Sequence, residues 1–120
     1  MLPFKNRLTK KRDFETVFQG GRGIGVGPVF LKFKENNTDN SRFGVAVGVK
    51  FSKKAVVRNA IKRQIREILK EKVALFKKGF DVIVVPQKVK ENTKFNQAKW
   101  ASSLEEAAQK AELLINIKKN

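Results

Sequence analysis

The stretch 53–67 combines an apolar stripe with a row of cations, and both follow the period of an α-helix. At about 100° per residue, the apolar side chains of this stretch and the residues just after it fall within an arc of roughly 120°. They are Val57, Ile61, Ile65, Ile68 and Leu69. The adjoining arc carries mainly Lys and Arg, so one helix would pack into a core and present positive charge. Each such cation can neutralise a phosphate and release counterions, which predicts a polyanionic partner.

The net charge of the whole chain also points to a polyanion. Its 120 residues include 27 Lys and Arg against 11 Asp and Glu, a formal net charge of +16 at pH 7. An excess of this size opposes compaction unless an anionic partner neutralises it, so RNA or DNA is the expected partner. Hydrophobic residues make up 41% of the chain, which argues against disorder. We expect a single basic RNA-binding domain over residues 1–120.

The residue types that are missing bear on catalysis. The chain has no Cys and no His, so it lacks thiolate nucleophiles, zinc–thiolate sites and the commonest general base. Glu105 and Glu106 form the only adjacent pair of carboxylates, and such a pair in a helix is usually solvated. Hydrolytic metal sites need converging carboxylates, and the pattern contains none. We therefore predict a protein that binds RNA without catalytic residues or a metal site of its own.

The distribution of apolar residues predicts a cytoplasmic protein with no membrane segment. No run of 18 or more apolar residues exists, and the first residues lack the apolar region of a secretory signal.

Periodicity and turn residues predict the element order α-β-β-α-β-α. Thr9 is the expected N-cap of a short helix that runs to about Gln19. The glycine-rich stretch 20–27 is predicted to be a connector. It follows a helix and leads into a strand, whereas nucleotide-binding glycine loops have the reverse order.

Two strands are predicted next, at 28–34 and 43–49, joined as an antiparallel hairpin by the polar cluster 35–41. In the second strand, valines alternate with Gly44, Ala46 and Gly48, which leaves one face nearly bare. Ser52 is the expected N-cap of the basic helix, which should run to about Phe76.

The last third of the chain predicts a strand and a helix. The β-branched run 80–86 is typical of a buried central strand. A final helix should extend from Thr93 or Asn96 to Ile115. Its apolar positions are Trp100, Leu104, Ala107, Ala111 and Leu114. The predicted fold class is α+β, a small mixed sheet packed with helices.

Three segments in order resemble the protein subunit of bacterial ribonuclease P. The pattern Lys54-x-Val56-x-Arg58-Asn59-x-x-Lys62-Arg63-x-x-Arg66-Glu67 resembles the Arg-Asn-Arg signature of that family. Residues 10–18 resemble its first helix, and residues 42–47 and 79–85 resemble the strands before and after the signature helix. Length and charge also agree, so the resemblance covers nearly the whole chain.

The resemblance implies a ribonucleoprotein enzyme that removes the 5′ leader from precursor tRNA. In that family the RNA subunit holds the catalytic Mg²⁺ ions and performs the chemistry, while the protein, a monomer present once per RNA, binds the catalytic RNA and the 5′ leader. The resemblance also implies a left-handed βαβ crossover, although nearly all such crossovers are right-handed.

The resemblance assigns two sets of site residues. Lys53, Lys54, Arg58, Asn59, Lys62, Arg63 and Arg66 would face the catalytic RNA. Lys10, Lys11, Arg12, Phe14, Phe18, Phe30 and Lys32 would line the leader-binding cleft. Single-stranded RNA is often held by stacking on aromatic side chains beside cations, worth about 1–3 kcal/mol per base.

The sequence leaves two features of this cleft open. Phe14 and Phe18 could instead pack beneath their helix. The cleft could meet either face of the strand, the one with Phe30 and Lys32 or the one with Leu31 and Phe33.

The chain departs from the family pattern at two places. The family often ends its second strand with two adjacent basic residues, where Val49-Lys50 supplies one, and the glycine run is denser than expected.

Three other functions fit a basic domain. They are a non-enzymatic RNA-binding protein of ribosomal type, a DNA-binding protein and a helix on an anionic membrane. Stimulation of precursor-tRNA cleavage would distinguish the first from the family function. Preference for single-stranded RNA over duplex DNA would test the second, and liposome co-sedimentation would test the third.

Overall fold

The structure is a computed structural model, which describes residues 2–87 and 97–115. This part of the chain contains four strands, β1 (Arg22–Val26), β2 (Val29–Glu35), β3 (Arg42–Val45) and β4 (Phe80–Pro86). It also contains three α-helices, α1 (Lys11–Gly20), α2 (Ala55–Lys72) and α3 (Gln97–Lys110), and short 3-10 turns at Phe4–Asn6 and Val73–Leu75. None of the described helices is long and apolar enough to cross a membrane.

Strand β4 lies in the interior of the sheet. The strand order is β1-β2-β4-β3, and β4 pairs antiparallel with β2 and parallel with β3. Val82, Ile83 and Val84 are at most 1% exposed, which confirms the prediction of a buried central strand. Parallel neighbours need a crossover connection, and α2 supplies it between β3 and β4. The α+β class and the small mixed sheet are confirmed, while the hand of the crossover stays a prediction.

The predicted hairpin between residues 28–34 and 43–49 is wrong. Strand β4 lies between β2 and β3, so these two strands do not pair. A turn pattern reports only on residues that are close along the chain. It cannot show that a distant β-branched strand buries more apolar surface when that strand lies in the middle of the sheet. The second strand is also shorter than predicted, because β3 ends at Val45.

The glycine-rich stretch 20–27, predicted to be a connector, contains strand β1. This strand pairs antiparallel with β2 through a two-residue turn at Gly27 and Pro28. Gly27 has a φ of +54°, a conformation that favours glycine at such turns. Ile24 packs against the core, while a β-carbon at Gly23 would lie 2.5 Å from the ring of Phe30. In the sequence, the alternation of glycine with β-branched residues in this stretch is the pattern that could have predicted a strand.

Helices α1 and α2 begin later than predicted. Their N-caps are Lys10 and Lys54, without side-chain capping bonds, in place of the predicted Thr9 and Ser52. The Ser52 hydroxyl instead accepts a hydrogen bond from the backbone N–H of Lys54 at 3.2 Å, which orders the turn before α2.

The ends of the two longer helices also differ from prediction. The last turn before Phe76 is the 3-10 segment Val73–Leu75 and not α-helix. Helix α3 ends at Lys110 and not at Ile115, and its predicted start at Thr93 or Asn96 lies outside the described residues. The predicted apolar positions are confirmed as packed positions. Trp100, Leu104 and Ala107 are buried, and Ala111 and Leu114 pack against the core.

The sheet has a different layer on each face. Helices α2 and α3 cover one face, where Val29, Leu31 and Phe33 are at most 4% exposed. Helix α1 lies on the other face, over a smaller core that contains Val17 and Ile83. Registered neighbours in a sheet share a face, and Lys32 pairs with Ile83 and Phe30 with Val85. The strand face that carries Phe30 and Lys32 is therefore the α1 face.

The Arg42 guanidinium connects β3, β4 and α1. Its Nε and Nη2 donate to the two carboxylate oxygens of Asp81 at 2.9 and 2.7 Å, and its Nη1 lies 3.2 Å from Asp13 Oδ2. Asn36 donates a further hydrogen bond to Asp81 at 2.8 Å, so the buried carboxylate is fully engaged. The hydrogen bond to Asp81 raises the pKa of Arg42 above its ordinary value, although burial opposes it. Arg42 therefore stays charged at any physiological pH.

Replacing Arg42 by Ala should lower the free energy of unfolding by about 2 kcal/mol. The change leaves the Asp81 carboxylate buried without its charged partner, which destabilises the fold. About a third of the Arg42 side chain is exposed, so the loss of stability should be smaller than for a fully buried pair. Urea unfolding would measure it. The Arg12→Ala variant removes the same charge from an exposed site and should change stability by less than about 0.5 kcal/mol. Equal losses in both variants would contradict the role of the bridge.

Candidate RNA-binding surfaces

Helix α1 crosses one end of the sheet and leaves the rest of that face open. Its first turn is held at β3 by the Asp13–Arg42 ion pair. Its last turn meets β2, because a β-carbon at Gly21 would lie 2.5 Å from the backbone oxygen of Phe33. Both contacts lie toward the end of the sheet where Arg42 and Asp81 pair. The remaining face is only half-buried, and we call it, together with the adjoining side of α1, the α1 cleft.

The floor of the α1 cleft combines aromatic, basic and small residues. Phe30 and Lys32 on β2 are half-buried there, beside Val85 on β4 and Ala46 after β3. The predicted bare face of the second strand is used by a ring of α1. A β-carbon at Gly44 would lie 2.4 Å from Cζ of Phe14, so only glycine lets this ring rest on the strand.

Phe14 and Phe18 have different environments, although the sequence treats them alike. Phe14 is half-buried and packs against the cluster that contains Val17 and Ile83. Phe18, one turn further along α1, is 43% exposed. Phe14 therefore forms part of the wall of the α1 cleft, and Phe18 presents a free aromatic surface.

Three cations mark the beginning of α1. Lys10, Lys11 and Arg12 are exposed, and none forms an ion pair within the described residues. The structure thus places all seven predicted leader-binding residues on α1, on the turn before it, or on the face of β2 that α1 packs against. Aromatic rings beside unpaired cations suit single-stranded RNA.

The outer side of α2 is the second basic surface. Lys53, Lys54, Asn59, Arg63 and Arg66 are exposed, and Arg58 and Lys62 are half-buried. None of these cations forms an ion pair in the described part of the chain. We call these seven residues the α2 face. Arg58 also has a structural contact, since its Nη1 donates to the backbone oxygen of Ser52 at 2.8 Å.

The apolar stripe of α2 is shorter than the sequence predicts. Ile61, Ile65, Ile68 and Leu69 are buried, but Val57 is 37% exposed. Val56 is 80% exposed and Val49, in the turn before α2, is 65% exposed. The first turn of α2 therefore presents exposed apolar surface beside its cations. The helical period alone did not predict this exposure.

Sequence reasoning missed the Arg42 bridge that positions α1. The available signal was Asp81, an acid inside an otherwise apolar strand, because a buried carboxylate requires donors. Which cation would reach it depends on the pairing of β3 with β4. Among the described residues, no three acidic, His or Cys side chains lie close enough to hold a metal ion.

Comparisons with known proteins point to one family. The model of the family described as Ribonuclease P matches residues 2–112. The ribonuclease P protein component of Thermotoga petrophila is 40% identical over 98 residues, which cover 81% of this chain and 82% of that protein. The solved ribonuclease P protein of Thermotoga maritima is 33% identical, with a TM-score of 0.74, over 83% of this chain and 92% of that one. The Staphylococcus aureus protein is 26% identical, with a TM-score of 0.77, over 92% and 98%.

The two phenylalanines of α1 should differ in their contribution to stability. Phe14→Ala should lower the free energy of unfolding by about 2 kcal/mol, since it opens a gap above Gly44, whereas Phe18→Ala should change it by less than about 0.5 kcal/mol. Urea unfolding of both variants would measure the difference. A large loss on Phe18→Ala would mean that this ring packs against the fold and is not a free surface.

Proposed function

This chain belongs to the ribonuclease P protein family, and we propose that it holds the 5′ leader of precursor tRNA in the α1 cleft. The chain is a protein subunit of bacterial ribonuclease P, so its partner is the ribonuclease P RNA. The resemblance carried by the signature helix is confirmed, and the ribosomal-type alternative is not favoured. The remaining question is how the two basic surfaces share the RNA.

The exposed ring of Phe18, on the helix that packs against the strand face with Lys32, carries the proposal for the leader. A leader is single-stranded, so its bases are free to stack and its phosphates lie within reach of nearby cations. Phe18 offers a ring, Phe30 adds aromatic surface in the floor, and the first turn of α1 offers cations. Stacking on phenylalanine does not read base identity, so this contact would accept leaders of different sequences.

The α2 face is the proposed contact with the catalytic RNA. The charged side chains of the α2 face are all cations, and they form no ion pairs in the described residues. RNA binding would therefore not have to break ion pairs first. Arg63 and Arg66 can form forked contacts with phosphates, and the Asn59 amide can both donate and accept. Arg58 has a double role, because it also holds the turn before α2.

Magnesium ions are proposed to be held mainly by the RNA subunit. Mg²⁺ prefers clustered oxygen ligands, but the carboxylates of Asp13, Asp81 and Glu105 are already paired with Arg or Lys. The α2 face would then lower the repulsion between RNA phosphates near those ions. The subunit is proposed to act as a monomer, one per RNA, in the cytoplasm where tRNA precursors are processed.

Reconstitution tests the proposal. The protein is mixed with a bacterial ribonuclease P RNA at low Mg²⁺, and 5′ cleavage of a precursor tRNA is followed. The mixture should cleave much faster than RNA alone, and the protein alone should not cleave. Salt-sensitive RNA binding without stimulation would contradict the proposal and favour a ribosomal-type protein.

Removing the Phe18 ring should weaken binding of leader-bearing substrate by about tenfold and leave binding of mature tRNA unchanged. The measurement is the affinity of reconstituted holoenzyme for each tRNA, with the Phe18→Ala variant in place of the unaltered chain. Phe4→Ala is the matched control, because Phe4 is 81% exposed but lies outside the α1 cleft. A parallel loss for mature tRNA would show that Phe18 does not contact the leader.

Arg63→Ala should reduce the salt dependence of binding to the catalytic RNA. Each lost phosphate contact lowers the slope of log affinity against log salt concentration by about 1. Filter binding at several KCl concentrations would measure the slope. The Lys78→Ala control removes the same charge before β4, away from the α2 face, and should leave the slope unchanged. If Arg63→Ala also leaves the slope unchanged, that residue does not contact RNA.

A further inference from the structure

A pocket of about 400 Å³ lies on the face of the sheet opposite the α1 cleft. Its walls come from the beginning of β1, the middle of β2, the beginning of β4 and the turn after α3. The volume is within the range of small-molecule sites, which is roughly 300–1,000 Å³. None of the residues assigned to the leader or to the catalytic RNA lines this pocket, so the inference does not depend on those assignments.

Three cations from separate elements surround this pocket. Arg22 begins β1, Lys77 precedes β4, and Lys110 ends α3. Lys110 forms an exposed ion pair with Glu106 at 3.3 Å, whereas Arg22 and Lys77 form none in the described residues. The exposed pair is weak and would yield to a phosphate.

The Arg22 guanidinium lies over an aromatic ring. It lies 5.2 Å from the centre of the buried Phe33 ring, in a cation–π contact. This contact holds the guanidinium at the pocket, and the exposed Arg22 side chain can also stack on a planar group such as a nucleobase. The half-buried Phe80 lines the same pocket and adds apolar surface.

Glu112 is the acidic residue of the pocket, and its backbone conformation is unusual. Its φ is +61°, and the N–H groups of Glu112 and Leu113 bond to the carbonyls of Gln109 and Ala108. This is the Schellman end of α3, at the position where glycine is normally preferred because a β-carbon is crowded there. The helix end is thus built with a less favourable residue, and that residue gives the lining of a basic pocket an acidic member.

We propose that this pocket binds a nucleoside phosphate whose base carries an amino group. The base would stack on Arg22 and lie against Phe80, and its amino group would donate to the Glu112 carboxylate. The phosphate would lie between Lys77 and Lys110. Cytosine suits the carboxylate because its N4 amino group donates, whereas uracil presents an acceptor oxygen at the same place.

The test is a titration of the ¹⁵N-labelled full chain with cytidine 5′-monophosphate and, separately, uridine 5′-monophosphate. Backbone amide shifts at Gly23, Phe80 and Ala111 report the pocket, because these residues line it. The cytidine nucleotide should bind there about tenfold more tightly than the uridine nucleotide. Equal binding of the two, or shifts confined to the α1 cleft and the α2 face, would overturn the proposal.

Inorganic phosphate is the control ligand. If it shifts the same amides with the same affinity as the cytidine nucleotide, the pocket recognises phosphate alone and the proposed base site is wrong.

Variants separate the roles of the pocket residues. Glu112→Gly should abolish the preference for cytidine while leaving the protein folded, because glycine favours this backbone conformation. Arg22→Ala should weaken both nucleotides by about tenfold. Lys77→Ala should weaken them by about threefold, and the adjacent Lys78→Ala, which removes the same charge outside the pocket, by less than about twofold. A cytidine preference that survives Glu112→Gly would contradict the assigned contact.

The source of the nucleotide is distinguished by a further titration with a pentamer of cytidine ribonucleotides. Tighter binding of the pentamer at the same amides, with steeper salt dependence, would assign the pocket to an unpaired nucleotide within an RNA strand. Equal affinity for the pentamer and the mononucleotide would assign it to a free nucleotide. Both results support the pocket chemistry, whereas failure of both the cytidine mononucleotide and the pentamer to shift these amides would refute it.

Discussion

The parallel pairing of β3 with β4 is the constraint on which the rest of the structure depends. Parallel neighbours cannot be joined by a tight turn, so the chain must cross from one to the other through a helix, and α2 is that helix. Since β4 is buried on both faces, α2 has to lay its apolar stripe against the sheet layer and turn its cations outward. The same pairing leaves the opposite face to the short helix α1, which covers only part of it. One topological constraint thus produces both basic surfaces.

The buried carboxylate of Asp81 fixes the detail of this arrangement. A carboxylate removed from water is tolerated only when donors replace the lost hydration, and Arg42 and Asn36 supply three hydrogen bonds. Arg42 is the registered partner of Asp81 across the two strands, so a slip in pairing would break the fork. Because the same guanidinium reaches Asp13, the ion pair also fixes where α1 lies and therefore the shape of the α1 cleft.

The distribution of charge separates folding from binding. In the described residues the acids Asp13, Asp81 and Glu105 pair with cations of other elements, and Glu106 pairs with Lys110 within α3. The cations of the α1 cleft and the α2 face have no such partners in the part of the chain that the structure describes. With a net charge of +16, the chain has far more cations than its acids can neutralise, so the excess is available for phosphates. The absence of Cys and His fits a subunit that contributes binding, orientation and charge to a reaction performed by RNA.

The sequence by itself determined the elements whose signal is local. The helical period placed Ile61, Ile65 and Ile68 in the core, the β-branched run identified β4, and the signature on α2 indicated the family. It could not decide which strands pair, because pairing compares segments that are distant along the chain and depends on which of them gains most from burial. The hairpin partner of β2, the Arg42 bridge and the different environments of Phe14 and Phe18 follow from that choice. Only the tertiary structure decided them, since each depends on what a neighbouring element covers and what it leaves open.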